Sequence, residues 1–294
     1  MSTIIMMTWK EMLRKRVVLL TLIMTLIFLL AFWFVARTIG MEFTNGNFEP
    51  GSMEELLNEF MQGAVSLVVG FFFASFVIAF LAIFSSVSVI AGEAEQGVMQ
   101  AMIPRPVTRQ HFYLGRWIGF VSLGVGYALF LYLAILGVTE YHSGVPGNWW
   151  SLTKAFLLFA SVVPLLVSLA MLGSCYMSAM GNGVLMTMLF GAGWLGGMLN
   201  KITSAGAFGK AGETLHMIAG LLDMVMPADA LQRRMLAEMF SLQDMMPFID
   251  LAKADSLGPF AIASVPSVTF LLYALGYLLI ALLLGVRAFR KKDL

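Results

Sequence analysis

VVLLTLIMTLIFLLAFWFVA, residues 17–36, is a run of twenty residues without a charge. At 1.5 Å per residue a helix of this length covers about 30 Å, the thickness of a bilayer's hydrocarbon core, where every backbone N–H and C=O must be bonded within the segment itself. The stretch therefore predicts a transmembrane helix. Working outward, five more stretches meet the same condition: about 63–90, 117–139, 153–177, 183–200 and 266–286. The fourth span carries Pro164, which predicts a kink or local unwinding, and the fifth is the shortest. The 294 residues are 60% hydrophobic and 12% charged, with a mean hydropathy of +0.87, against about 25% charged in soluble domains. The expected fold class is an all-α polytopic membrane protein, one domain over 1–294 with six transmembrane helices.

An even number of spans leaves both termini on one side, and Lys and Arg choose that side. Lys10, Arg14, Lys15, Arg16, Arg105, Arg109, Arg116, Arg287, Arg290, Lys291 and Lys292 place 11 of the 18 basic residues on the face of the termini. The acidic residues divide 4 against 13 in the opposite sense. The termini and segment 92–110 are therefore expected in the cytoplasm. The first span follows basic residues and has no A-x-A cleavage site after it, so it reads as a retained anchor. A net charge of +1 gives no basic bias toward nucleic acid.

Two regions do not span. Residues 1–16 set Ile5, Trp9, Met12 and Arg16 at helical spacing, with Lys10, Arg14 and Lys15 available for headgroups, and predict an amphipathic helix in the cytoplasmic interface. Residues 201–265 are too polar to cross and carry two apolar stripes separated by Pro227: Leu215, Ile218, Leu222 and Met226, then Leu231, Met235, Leu236, Met239 and Phe240. They predict a pair of external helices capping the bundle before the last span. Trp149 and Trp150 close the shorter outer loop as an interfacial belt.

Recognisable catalytic chemistry is lacking. The three histidines, His111, His142 and His216, fall in different loops, and the chain has neither an H-E-x-x-H nor a G-x-S-x-G motif. Gly209-Lys210 imitates a phosphate loop, but Ser204 and Ala211 stand where that motif needs Gly and Ser or Thr. No metal site is expected: Cys175 is a lone thiol in an apolar run, and the 23 methionines lie mostly on apolar faces and read as packing. Asn182, between Gly181 and Gly183, reads as the turn joining spans four and five. No ionisable residue occupies the centre of any span, where each costs at least ~2.5 kcal/mol and usually marks an ion-coupled carrier. Energy for active transport would have to come from a partner. Gly115 with Gly119, and Gly193 with Gly197, are G-x-x-x-G pairs suited to close helix packing, within the chain or across a dimer.

One segment breaks the apolar pattern: GEAEQGVMQAMIPRPVTRQ, residues 92–110. Glu93, Glu95 and Gly97, an apolar turn through Met102, then Pro104, Pro106 and Arg109, followed by Gly115-Arg116, resemble the cytoplasmic signature of type-2 ABC exporter permeases. The ending LLLGVRAFRKKDL is similar to that family's usual close. The resemblance implies a membrane permease of the type V exporter-like fold, in the cell membrane, the inner membrane in a bacterium. In this family the loop carries a coupling helix that docks on separate ATPases. The resemblance thus implies two cytoplasmic ABC ATPase subunits as partners, a second permease copy or paralogue, and an external accessory protein as a further candidate. ATP and Mg would be bound by the partner ATPase, with no cofactor in this chain. Pro104 and Pro106 fix backbone angles, which suits the segment to the lever role that the resemblance implies, and Thr108 is placed to cap the next helix; read from its charges alone, the segment is equally a solvated, capped loop marking the membrane boundary. The competing expectation is an ATP-independent carrier or scaffold, with an integral membrane enzyme third.

Overall fold

The computed structural model describes residues 1–44, 52–92, 108–144, 148–204, 210–240 and 265–291, and all regular structure among them is helical. The helices are α1 (Ser2–Arg14), α2 (Arg16–Thr44), α3 (Met53–Ser86), α4 (Arg109–Ser143), α5 (Trp149–Tyr176), α6 (Ala179–Ser204), α7 (Lys210–Val225), α8 (Ala228–Met239) and α9 (Val268–Lys291). Six of them, α2 to α6 and α9, are long and apolar enough to cross a membrane. This is a multi-pass membrane protein.

Local chemistry sets the helix ends. Lys15 is extended (φ −71°, ψ 139°) and separates α1 from α2, so the first helix is free to leave the direction of the span. Ser52 accepts a hydrogen bond from the Glu55 N–H at 3.2 Å and starts α3. Gly144 stops α4 with a φ of +72°, a region that side chains disfavour. Polar first turns of this kind carry α3 ten residues beyond the apolar run that announced it.

α3 and α5 form the centre, with 61% and 67% of their most apolar stretches buried, against 22% for α2 and 17% for α9. Phe71 of α3 sits between Tyr132 of α4 and Phe159 of α5, with ring centroids 5.2 Å from each. Small residues set how closely the helices approach. A Cβ on Gly70 would fall 2.8 Å from Phe32, and one on Gly124 would fall 2.6 Å from Val163. Helix α1 folds against α4, with Thr8 and Met12 buried between them.

Three expectations are refined. Of the kink or local unwinding expected at Pro164, unwinding does not occur: α5 is one helix through it, and the Pro164 carbonyl accepts from the Ser168 hydroxyl, which in turn accepts from the Trp117 indole. Asn182 does not form a turn but lies within α6, fully buried, where its amide bridges the turn after α3 and helix α5. The third change concerns the helical pair expected to lie outside. Helices α7 and α8 meet at an angle of 97°, and α8 enters the bundle. The Gln232 side chain donates to the Phe71 carbonyl at 2.9 Å, near the middle of α3, and Ala230, Leu231, Met235 and Met239 are all buried. The backbone break is satisfied by α9, whose Tyr273 and Tyr277 hydroxyls donate to the Met224 and Val225 carbonyls at 2.7 and 2.9 Å. In lipid an irregular backbone survives only with such partners.

Close approach at α1 gives a direct prediction. A Cβ on Gly119 would lie 2.7 Å from Thr8, whereas one on Gly126 meets nothing within 4 Å. Gly119→Leu is expected to cost about 1–3 kcal/mol of stability by forcing α1 off α4. Gly126→Ala should be neutral or stabilising by up to about 1 kcal/mol. Thermal unfolding of the purified protein in detergent separates the two.

Candidate functional site

The segment singled out by sequence joins α3 to α4. Glu93, Glu95, Gly97, Met102, Pro104 and Pro106 lie outside the described residues, while Arg109 and both flanks of the segment lie within them.

The flank before the segment is fixed by hydrogen bonds. After Ser86 the chain turns, and the Ile90 and Ala91 N–H groups both donate to the Ser174 hydroxyl of α5, at 3.1 and 3.0 Å. The Asn182 amide of α6 donates to the Val87 carbonyl at 3.0 Å and to the Ala170 carbonyl at 2.7 Å. Ser174 and Asn182 are fully buried. Backbone groups leaving a span have no helical partner, and losing a buried one costs about 1–3 kcal/mol; these two side chains supply the partners and tie the exit of α3 to α5 and α6.

The flank after the segment is held from two sides. Thr108 occupies the N-cap position with extended backbone, but its hydroxyl pairs with the His111 ring and caps no N–H. The Arg109 guanidinium donates to the Arg290 carbonyl at 3.2 Å, meeting the negative end of the α9 dipole. Phe112 and Tyr113 pack on Phe289, and the Tyr113 ring lies over Gly285, where a Cβ would overlap its hydroxyl. On the opposite side Gly115 and Gly119 admit Ile4 and Thr8 of α1, at 2.9 and 2.7 Å from where a Cβ would stand. The Trp9 indole donates to Ser122 at 2.9 Å.

Arg116 locks this side. It is 1% exposed, and its guanidinium pairs with Glu11 of α1, which also binds Lys15 at 2.9 Å. Burial alone would raise the Glu11 carboxyl, but Arg116 and Lys15 outweigh it and hold the group below its ordinary value. A buried guanidinium needs such a partner. The first turns of α4 are therefore clamped between α1 and α9.

At the opposite end of the bundle Gly193 and Gly197 pack within the chain. A Cβ on Gly193 would meet Met226 at 2.7 Å, and one on Gly197 would overlap the Asp229 carboxylate. Here lies a cluster the sequence reading missed. Arg233, 4% exposed, bonds both Asp229, at 2.9 Å, and Asp223, and the Asn200 amide donates to Asp223 at 2.8 Å. Arg234 pairs with Glu238 and donates to the Pro266 carbonyl at 3.1 Å. A cavity of about 20 Å³, room for one water, lies beside Asp229 and Gln232, walled by Phe159, Phe190 and Trp194. The spans themselves are uncharged at their centres, and the buried charge enters on α7 and α8. The spacing of Asp229 and Arg233, i and i+4, was the available signal.

Two tests follow. Replacing Arg233 by Met strands two buried carboxylates and should cost about 3–5 kcal/mol; adding Asp223→Asn and Asp229→Asn should recover most of it, as read by thermal unfolding. The Glu11 pairing stabilises the fold above the ordinary carboxylate value near about 4.3 and is lost as pH falls through its lower folded value. The stability advantage of the native chain over Glu11→Gln should therefore shrink below about pH 4.

A comparison with curated proteins found no match. The family model for ABC-2 family transporter proteins matches residues 3–294. The chain, six spans and all, belongs to the ABC-2 family of transporter membrane proteins.

Proposed function

We infer that this chain is the membrane-spanning permease of an ATP-driven exporter, with both termini in the cytoplasm and the bundle in the cell membrane. It works with two cytoplasmic ATPase chains, which bind ATP and Mg and carry out hydrolysis, and with a second permease copy or paralogue. Their stroke moves a substrate outward or acts on an external partner. The observation that carries this reading is the double anchoring of segment 93–107. On one side the Ile90 and Ala91 N–H groups are held by Ser174, and Asn182 joins Val87 to Ala170. On the other, Arg109 bonds α9 and Arg116 bonds α1. Fixtures on both flanks, to four different helices, give a load on the segment a path into the bundle.

The flanks bear on different bodies. A force on the segment passes through α3 to α5 and α6, and through α4 to α1 and α9. Pro104 and Pro106 add stiffness between the anchors. Glu93 and Glu95 supply charge for a basic surface on the ATPase. The excess of basic residues on the face of the termini supports a cytoplasmic position for this end, where ATP is.

The test is made on a reconstituted complex. ATPase chains are expected to co-purify with the permease. Glu93→Ala with Glu95→Ala, or Pro104→Gly with Pro106→Gly, should lower transport per ATP hydrolysed several-fold while the complex still assembles. Unchanged coupling in both double variants would reduce the segment to a capped boundary loop. Failure of any ATPase to associate would favour an ATP-independent carrier or scaffold.

A further inference from the structure

We propose that the outward face of α1 is a binding site for the headgroups of anionic phospholipids, and that the Glu11–Arg116 pair passes its occupancy to the first turns of α4. The regulatory half of this proposal rests on the function inferred above, and the binding half does not.

The two faces of α1 differ sharply. Toward α4 the helix presents Ile4, Thr8 and Met12, and the Trp9 indole reaches Ser122. Away from α4 it exposes Met6, Met7 and Leu13 together with Lys10 and Arg14, and Arg16 is exposed at the junction with α2. A shallow recess along this face is lined by Met6, Met7, Lys10, Glu11, Arg14 and Lys15, apolar and basic side chains side by side. Methionine thioethers suit lipid chains, and ammonium and guanidinium groups suit phosphate. Both lie on the helix that leads into α2, the first candidate span, where an interfacial helix meets the boundary between lipid chain and headgroup.

The charge balance selects the occupant. Glu11 is the one acid on α1, and its carboxylate is engaged by Arg116 and Lys15. Among the described residues no acidic side chain pairs with Lys10, Arg14 or Arg16. Lys10 and Arg14 in the recess among methionines, with Arg16 exposed at the junction, complement an anionic lipid better than a zwitterionic one, whose own ammonium group cancels the attraction. A soluble phosphate would satisfy the charges and leave Met6, Met7 and Leu13 in water.

The same helix carries the output. Lys10, Glu11, Arg14 and Lys15 occupy adjacent turns, so a headgroup drawn to Lys10 and Arg14 fixes the turn that presents Glu11. Arg116 lies two turns into α4, nine residues beyond the end of segment 93–107. Lipid that steadies α1 therefore steadies the entry of α4 against the pull of the segment.

Lipid association is measured on the full chain alone, with spin-labelled phosphatidylglycerol or phosphatidylcholine in vesicles. We expect a preference for phosphatidylglycerol of roughly five- to twentyfold, collapsing at about 1 M salt, where the Debye length is about 3 Å. Inorganic phosphate should not displace the lipid. Lys10→Gln with Arg14→Gln, which keeps Lys15 and Arg16 for topology, should lower the preference several-fold, and Lys10→Arg with Arg14→Lys should retain it. Equal association of the two lipids with the native chain, or full preference in the Gln variant, would overturn the site. In the complex, phosphatidylglycerol should raise transport per ATP, and Glu11→Gln with Arg116→Gln should abolish that response while lipid preference remains. A response that survives in this variant would overturn the link to α4.

Discussion

Hydrocarbon offers no hydrogen-bond partners, and this single constraint organises the molecule. It makes the spans helical and fixes their length, and it demands a protein partner wherever the backbone leaves helical geometry or a polar side chain is buried. The exit of α3 shows the consequence: its turn is paid for by Ser174 and Asn182, side chains of two other helices. The bend between α7 and α8 is satisfied by Tyr273 and Tyr277 of α9. Each repair ties one helix to another at a fixed height. The demand that makes the chain stable in lipid is thus the one that makes its loops mechanically continuous with the bundle.

The two ends of the bundle handle buried charge in the same way. Arg116 is covered by α1 and neutralised by Glu11, and Arg233 is enclosed by α6, α7 and α8 and neutralised by Asp223 and Asp229. The first ion pair joins α1 to the spanning helix α4; the second joins α7 to α8, and the Asn200 amide ties its Asp223 to α6. Removing either charge alone leaves its partner buried, so neither pair can be lost by halves. The short helices are held by electrostatics at the point of contact and by glycine-permitted packing around it, with Gly115 and Gly119 under α1 and Gly193 and Gly197 under the hairpin.

The spans were legible in the sequence because lipid selects on length and hydropathy, which are local properties. Their ends were less so: α3 begins at Met53 because Ser52 caps a polar first turn that no hydropathy count includes. Asn182 between two glycines reads as a turn in one dimension, and only the carbonyls of Val87 and Ala170, 95 and 12 residues away, make it a buried helix-to-helix bridge. The α7–α8 pair looked too charged to enter the bundle because the charges were counted singly, whereas Asp223, Asp229 and Arg233 compensate one another across a 97° bend. Of the candidate coupling residues, Arg109 could be placed, and its contact with the Arg290 carbonyl spans 181 positions of sequence. Long-range partners of this kind leave no periodicity to read.

The central claim is that movement at the segment between α3 and α4 reaches the far end of the spans instead of being absorbed locally. In the complex proposed above, formed with a second copy of the permease, a single spin label per chain at exposed Gln110, beside the segment, or at exposed Tyr141, near the opposite end of α4, would give the distance between copies. If the anchored frame transmits the stroke, trapping the ATPases in their closed state changes both distances. A change at Gln110 with Tyr141 unmoved would contradict the account.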